Sequence, residues 1–195
     1  MERPVQLLVN FLLISWLAFS SCALQEGKVS MSVLEVQDQQ IKTKGGITYV
    51  EQKPYSGMLY KLYPKTTDTL YIKNYLRGKE HGSWKRFHPG NEVKELRYFQ
   101  HGRKEGAHIA YYPGGQVRFH YQLSDDVYEG NNREWNAAGN LILDMNYVAG
   151  QEEGSQKVWY DNGKLKANYI IKNGRRFGLL GTKNCINVSD SIFQN

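Results

Sequence analysis

Five histidines, His81, His88, His101, His108 and His120, are the first residues in this chain that invite a chemical reading. A zinc site needs three or four His, Cys or carboxylate ligands brought to one point. These five share no repeating column, and none has a cysteine or carboxylate at ligand spacing, so no metal is expected. Two carboxylate pairs, Asp125-Asp126 and Glu152-Glu153, read as solvated residues in turns between repeating units. Acid–base work would require burial to perturb them. The chain has only two cysteines, Cys22 and Cys185, which could pair in an oxidising compartment. Cys185 has no CxxC partner and no adjacent histidine to activate it, and it reads as a packing residue. No GxSxG elbow, phosphate loop or dinucleotide fingerprint is present. These residues name no catalytic group and no cofactor, and the chain reads as a non-enzyme.

What would position any such residue is a repeat of 24 positions. Gly82, Gly106, Gly130, Gly154 and Gly178 fall in step, and Gly57 opens the first unit one residue out of register. A second set, Gly78, Gly102, Gly150 and Gly174, keeps the same interval four residues ahead, with Asp126 in place of the expected glycine. The aromatics Tyr63, Phe87, Tyr111, Trp135 and Trp159 follow the same step. Within each unit residues alternate with period two. One column holds Val93, Val117, Leu141 and Leu165, the next Glu95, Phe119, Leu143 and Ala167. Then come Arg97, Tyr121, Met145 and Tyr169, and finally Phe99, Leu123, Tyr147 and Ile171. Such alternation marks strands with one covered and one wet face, and all four columns are expected on the same face.

Turn signals sit between the strands at Pro89-Gly90-Asn91, Pro113-Gly114-Gly115, Ala138-Gly139 and Asp161-Asn162-Gly163. The fold class is therefore all-β, an extended antiparallel meander of about five 24-residue hairpins that stack to share one face. A glycine heading each first strand costs roughly 0.5–1 kcal/mol against alanine, so either a positive φ or the approach of a ring must require it.

Residues 1–22 form a targeting segment. Arg3 precedes an apolar run from Val5 to Phe19, about fifteen residues and short of the roughly 20 that a membrane span needs. Ser20 and Ser21 then lead into Cys22, which resembles a bacterial lipoprotein signal, with Phe19 where an aliphatic residue is commonest. The resemblance implies acylation of Cys22 and a membrane anchor in the cell envelope, since several acyl chains on one residue hold what one does not. Ordinary secretion is the alternative. Residues 23–52 read as a tether and leading strands, 53–178 as the repeats, and 179–195 as a C-terminal cap or tail.

Within the repeats, Lys79-Glu80-His81-Gly82-Ser83-Trp84-Lys85 with Phe87, and Tyr160-Asp161-Asn162-Gly163-Lys164-Leu165, resemble the variant MORN repeat of the YwqK antitoxin-like family. That resemblance implies a β platform for contacts with other molecules, and by analogy an antitoxin or immunity role. The envelope-type leader favours a protein-binding platform of unknown partner, with toxin neutralisation as the alternative. The formal charge of +6 suits an acidic partner, but basic residues are spread without a long run, so nucleic acid is not expected.

Overall fold

A computed structural model describes residues 32–36 and 41–179 of the 195-residue chain, and among these there is no helix. The leader with Cys22, the first part of the tether, Cys185 and residues 180–195 of the expected tail lie outside the described residues. The chain begins with β1 (Ser32–Glu35) and then a small sheet of β2 (Ile41–Lys44), β3 (Ile47–Val50) and β4 (Lys53–Pro54). Five hairpins follow in order. They are β5 (Gly57–Leu62) with β6 (Thr69–Leu76), and β7 (Lys79–Phe87) with β8 (Val93–Gln100). In the third, β9 (Arg103–Lys104) and β10 (Gly106–Tyr111) precede β11 (Val117–Ser124). In the fourth, β12 (Val127–Tyr128) and β13 (Gly130–Trp135) precede β14 (Leu141–Val148). Last are β15 (Gln151–Trp159) with β16 (Leu165–Lys172), and a closing strand, β17 (Arg175–Leu179).

All hairpin strands lie side by side in chain order in one sheet, joined antiparallel. The exception is β1, which pairs parallel with β5, Ser32 opposite Gly57. Parallel neighbours need a long crossover, and the small sheet between β1 and β5 provides it.

Two bulges recur in every complete unit and explain the glycines. Where β6 meets β7 the register jumps from Lys73–Trp84 to Tyr75–Glu80, and where β14 meets β15 it jumps from Met145–Gln156 to Tyr147–Glu152. The extra residues surround Gly82 and Gly154, whose φ values are +79° and +74°. No atom lies within 4 Å of a Cβ built at Gly154, so the left-handed backbone demands this glycine, not a crowding ring. Asp126, which interrupts the second glycine set, has φ +71° and keeps the backbone hydrogen bond of its position. Its N–H donates to Lys104 O at 3.1 Å, as Gly102 N–H does to Glu80 O at 2.7 Å and Gly150 N–H to Tyr128 O at 2.9 Å. Aspartate tolerates this conformation better than most residues.

The second bulge falls beside the hairpin tips, at Arg86/Phe87, Ala110/Tyr111, Glu134/Trp135 and Val158/Trp159. It corrects the expected facing of one column. Arg86 pairs with Glu95 and Phe87 with Val93, so Lys94 is an extra residue and the alternation shifts there. Val93 consequently shares a cleft with Lys85, Leu96 and Tyr111, on the opposite face from Glu95. Three of the four columns share the inner face, and Val93, Val117, Leu141 and Leu165 accompany the aromatics on the outer one.

The first unit holds a second correction. The N–H of Tyr63 donates to Asp68 O at 2.8 Å, which is the bond made by His88, Tyr112, Asn136 and Tyr160 to Glu92, Gln116, Asn140 and Lys164. Tyr63 therefore stands one position beyond the aromatic column, and Leu62, paired with Thr69, occupies the column itself. The single extra residue lies in the first hairpin loop, so Gly57 is in structural register despite its offset in sequence.

Apolar packing concentrates at the two ends of the sheet. Tyr55, Leu59 and Tyr75 are buried with Leu34, Val36, Ile41 and Val50 against them, and the small sheet thus covers the first unit. At the far end Ala167, Tyr169 and Ile171 form a second cluster with Val158.

Candidate binding surfaces

Between those clusters the inner face mixes buried apolar residues, among them Phe99, Leu123 and Met145, with polar and aromatic ones. One column from the first strands reads Trp84, His108, Asn132 and Gln156, each two residues beyond its unit's glycine. In the last two units this position is an amide that folds into the glycine bulge. Gln156 is fully buried, its Oε1 accepting from Asn146 N–H at 3.0 Å and its Nε2 donating to Asn146 O at 2.7 Å and Glu153 O at 3.1 Å. Asn132 repeats the bond one unit earlier, accepting from Gln122 N–H at 2.8 Å. In the second unit Trp84 stands there instead, with the Arg97 guanidinium 4.6 Å and the Lys73 ammonium 5.4 Å from its ring centre. Cations over an indole face are held by the ring quadrupole.

The charged centre of this face is Glu95. Its Oε1 accepts from Arg97 Nε at 2.9 Å and from His108 Nε2 at 2.8 Å. Burial alone would raise the Glu95 carboxyl, but the hydrogen bonds from His108 and Arg97, with their charges, overcome it and hold the group at about 2. The His108 ring lies edge-on to Phe119, which stacks on Tyr121 with centroids 4.4 Å apart. The Tyr121 hydroxyl donates to Glu134, and burial followed by that bond raises its pKa. Farther along, Tyr128 meets Tyr121 and Tyr147 at 5.4 and 5.2 Å. A cleft of about 410 Å³ opens here, lined by Arg97, Lys104, His108, Asp126 and Tyr128. Its size falls within the 300–1,000 Å³ usual for ligand sites.

A depressed carboxylate contributes stability that is fully present above its unfolded pKa and is lost as pH falls through the folded value. Glu95 is therefore expected to make the protein less stable between about pH 5 and pH 2, a window set by its shift from 4.5 to about 2. Urea midpoints measured across that window should fall less steeply in Glu95→Gln. At neutral pH the same variant should lose about 1–3 kcal/mol, because Arg97 and His108 keep their desolvation without the counter-charge.

Along the hairpin tips the outer face carries cross-strand pairs, Phe87–Val93, Tyr111–Val117, Trp135–Leu141 and Trp159–Leu165. Val93, Val117 and Leu165 are exposed. Side-chain bonds stitch neighbouring tips, Gly90 N–H to Asp68 Oδ2 at 2.7 Å and Gly114 N–H to Glu92 Oε2 at 2.9 Å.

Several sequence expectations change against this geometry. His108 does find a carboxylate, Glu95, thirteen residues away on the neighbouring strand, and His81 and His101 approach to 5.1 Å between ring centres. Among the described residues no group of three His, Cys, Asp or Glu is placed to hold a metal ion. Asp125 and Asp126 lie in a turn as expected, with Asp125 against Arg103. Glu152 and Glu153 do not: both are in β15, and Glu152 accepts from Tyr169 Oη at 3.1 Å and Arg176 at 3.2 Å. Register places Glu152 beside Tyr147, which a turn reading of the acidic pair misses.

No curated protein matches the chain. Among solved structures, a chain in the crystal structure of accessory secretory protein 1,2 and 3 in Streptococcus pneumoniae is similar at 14% identity. The alignment covers 81% of this chain and 24% of that one, with a TM-score of 0.17. Residues 152–173 match the family model described as MORN repeat variant. That segment runs from Glu152, two residues before the bulge glycine Gly154, to just past the end of β16, and its bulges, turn and strand pairing recur in the earlier units. The recurring hairpin of this sheet is, at residues 152–173, a variant MORN repeat.

Proposed function

We propose that the protein is a non-enzymatic binding platform, held at a cell-envelope membrane by an acylated Cys22, that docks a protein partner on its inner face. The observation supporting a docked partner is the cleft at Arg97, Lys104, His108 and Tyr128, where Tyr128 remains 39% exposed in the middle of a ring cluster. Tyrosine and arginine around a cleft are the residue types that dominate protein–protein energetics. The apolar clusters at each end of the sheet support a rigid scaffold for that face.

Two variants test the two parts. Cys22→Ala is expected to move the protein from the membrane to the soluble fraction, and its retention in the membrane sinks the anchor. Tyr128→Ala is expected to weaken capture of the partner from solubilised membranes about tenfold or more, as loss of a central aromatic contact does. A wild-type chain that retains no protein above the level of Tyr128→Ala would remove the platform reading.

A further inference from the structure

The outer face has a repeat of its own that the inner cleft does not use. Phe87, Tyr111, Trp135 and Trp159 sit on β7, β10, β13 and β15, each two strands from the next. Neighbouring strands are 4.7–4.9 Å apart, so the rings recur at about 10 Å. Two residues before three of them, on the same face by strand alternation, is a cation: Lys85 before Phe87, Arg133 before Trp135, Lys157 before Trp159. Only Arg133 is balanced, by Asp144 at 3.4 Å, and both partners stay partly exposed. Lys85 and Lys157 have no ion-pair partner among the described residues. Between the first two rings lies a mostly apolar cleft of about 470 Å³, bounded by Lys85, Val93, Leu96 and Tyr111, with Glu92 at its rim held by the Gly114 N–H.

We propose that this face binds an extended 1,4-linked acidic polysaccharide, with alternate sugar rings on the aromatic column and their carboxylates toward Lys85, Arg133 and Lys157. The chemistry follows from the pairing. An aromatic face packs against the apolar C–H face of a sugar, and a cation beside it selects a charged substituent. The pitch argues for a glycan over an extended peptide. A disaccharide of an extended 1,4-linked chain covers the distance between successive rings. A peptide strand presents same-side residues every ~6.8 Å and falls out of step after one repeat. The site lies on the face opposite the cleft proposed for the protein partner, so failure of either reading leaves the other standing.

The test uses the full chain in mild detergent, titrated with β-1,4-linked oligomannuronates up to about eight sugars and followed by tryptophan fluorescence, since Trp135 and Trp159 are themselves the platform. Affinity is expected to rise at least tenfold from disaccharide to octasaccharide and then to level off, with neutral cello-oligosaccharides at least tenfold weaker. Trp135→Ala should weaken the octasaccharide about tenfold. Lys157→Gln, which alters an exposed side chain and leaves the strand intact, should weaken oligomannuronate several-fold without changing the neutral series. Lys172→Gln, at the far end of β16, should change neither. Equal losses in Lys157→Gln and Lys172→Gln would reduce the effect to net charge and overturn the site. So would affinity independent of length, neutral sugars binding as tightly as acidic ones, or phosphatidylglycerol vesicles binding where oligomannuronate does not.

Discussion

Gln156→Leu is expected to lower the unfolding free energy by about 3 kcal/mol or more, the largest effect of any single polar residue in the described chain. The side chain is fully buried, and its amide satisfies Asn146 N–H, Asn146 O and Glu153 O together. Leucine fills a similar volume and can bond none of them. A buried backbone group left unsatisfied costs roughly 1–3 kcal/mol, and here one donor and two acceptors lose their side-chain partner. Since whole domains are stable by only about 5–15 kcal/mol, the variant should unfold at markedly lower urea concentration. Gln156→Glu separates the causes: its carboxylate can still accept from Asn146 N–H but cannot donate to the two carbonyls. If Gln156→Leu unfolds within about 1 kcal/mol of wild type, the bulge does not depend on its plug.

Gly57→Ala is expected to cost about 2–4 kcal/mol, through a different mechanism. At φ +145° the residue is in a region that side-chain-bearing residues rarely enter, and a Cβ there would overlap the carbonyl oxygen of Ser32 and stand 2.7 Å from Tyr55 Oη. Those atoms belong to the packed start of the sheet, where Tyr55 Oη donates to Ser32 O at 2.8 Å and to Met58 O at 3.0 Å. Relief therefore requires β1 to move away, uncovering Leu34 and Val36 from the Tyr55–Leu59–Tyr75 cluster. Gly163→Ala is the control. It shares a positive φ of +79° but has nothing within 4 Å, and should lose only about 1 kcal/mol. Equal urea midpoints for the two variants would show that crowding at β1 contributes nothing.

The repeat was legible because its physics is local. A bulge that requires positive φ fixes a glycine, and a tight turn fixes Asn162-Gly163, so a fixed interval of glycines reports a fixed interval of bulges. What the sequence hid follows from the same bulges. Lys94 adds one residue opposite Arg86, and that single insertion sends Val93 to the other face, beyond the reach of period-two counting. Likewise Tyr63 matched the aromatic step by arithmetic while an added loop residue moved it one place on. The Glu95–His108 contact joins neighbouring hairpins and depends on register between them, which no local pattern carries. The amide plugs at Asn132 and Gln156 did leave a trace: two buried-column positions held by amides one repeat apart, two residues past the glycine.

The strict chain-order succession of strands has a consequence for how the molecule is made. Among the described residues the widest-spaced ladder joins Ser32 to Gly57, and every other pairing is closer in sequence. Closing such short loops costs little entropy, and low contact order goes with rapid folding. Each hairpin can form and dock as soon as it emerges, without waiting for any later segment. Growth can therefore start from the first unit, packed under the small sheet, and at every stage presents the edge of its last strand for the next hairpin to take.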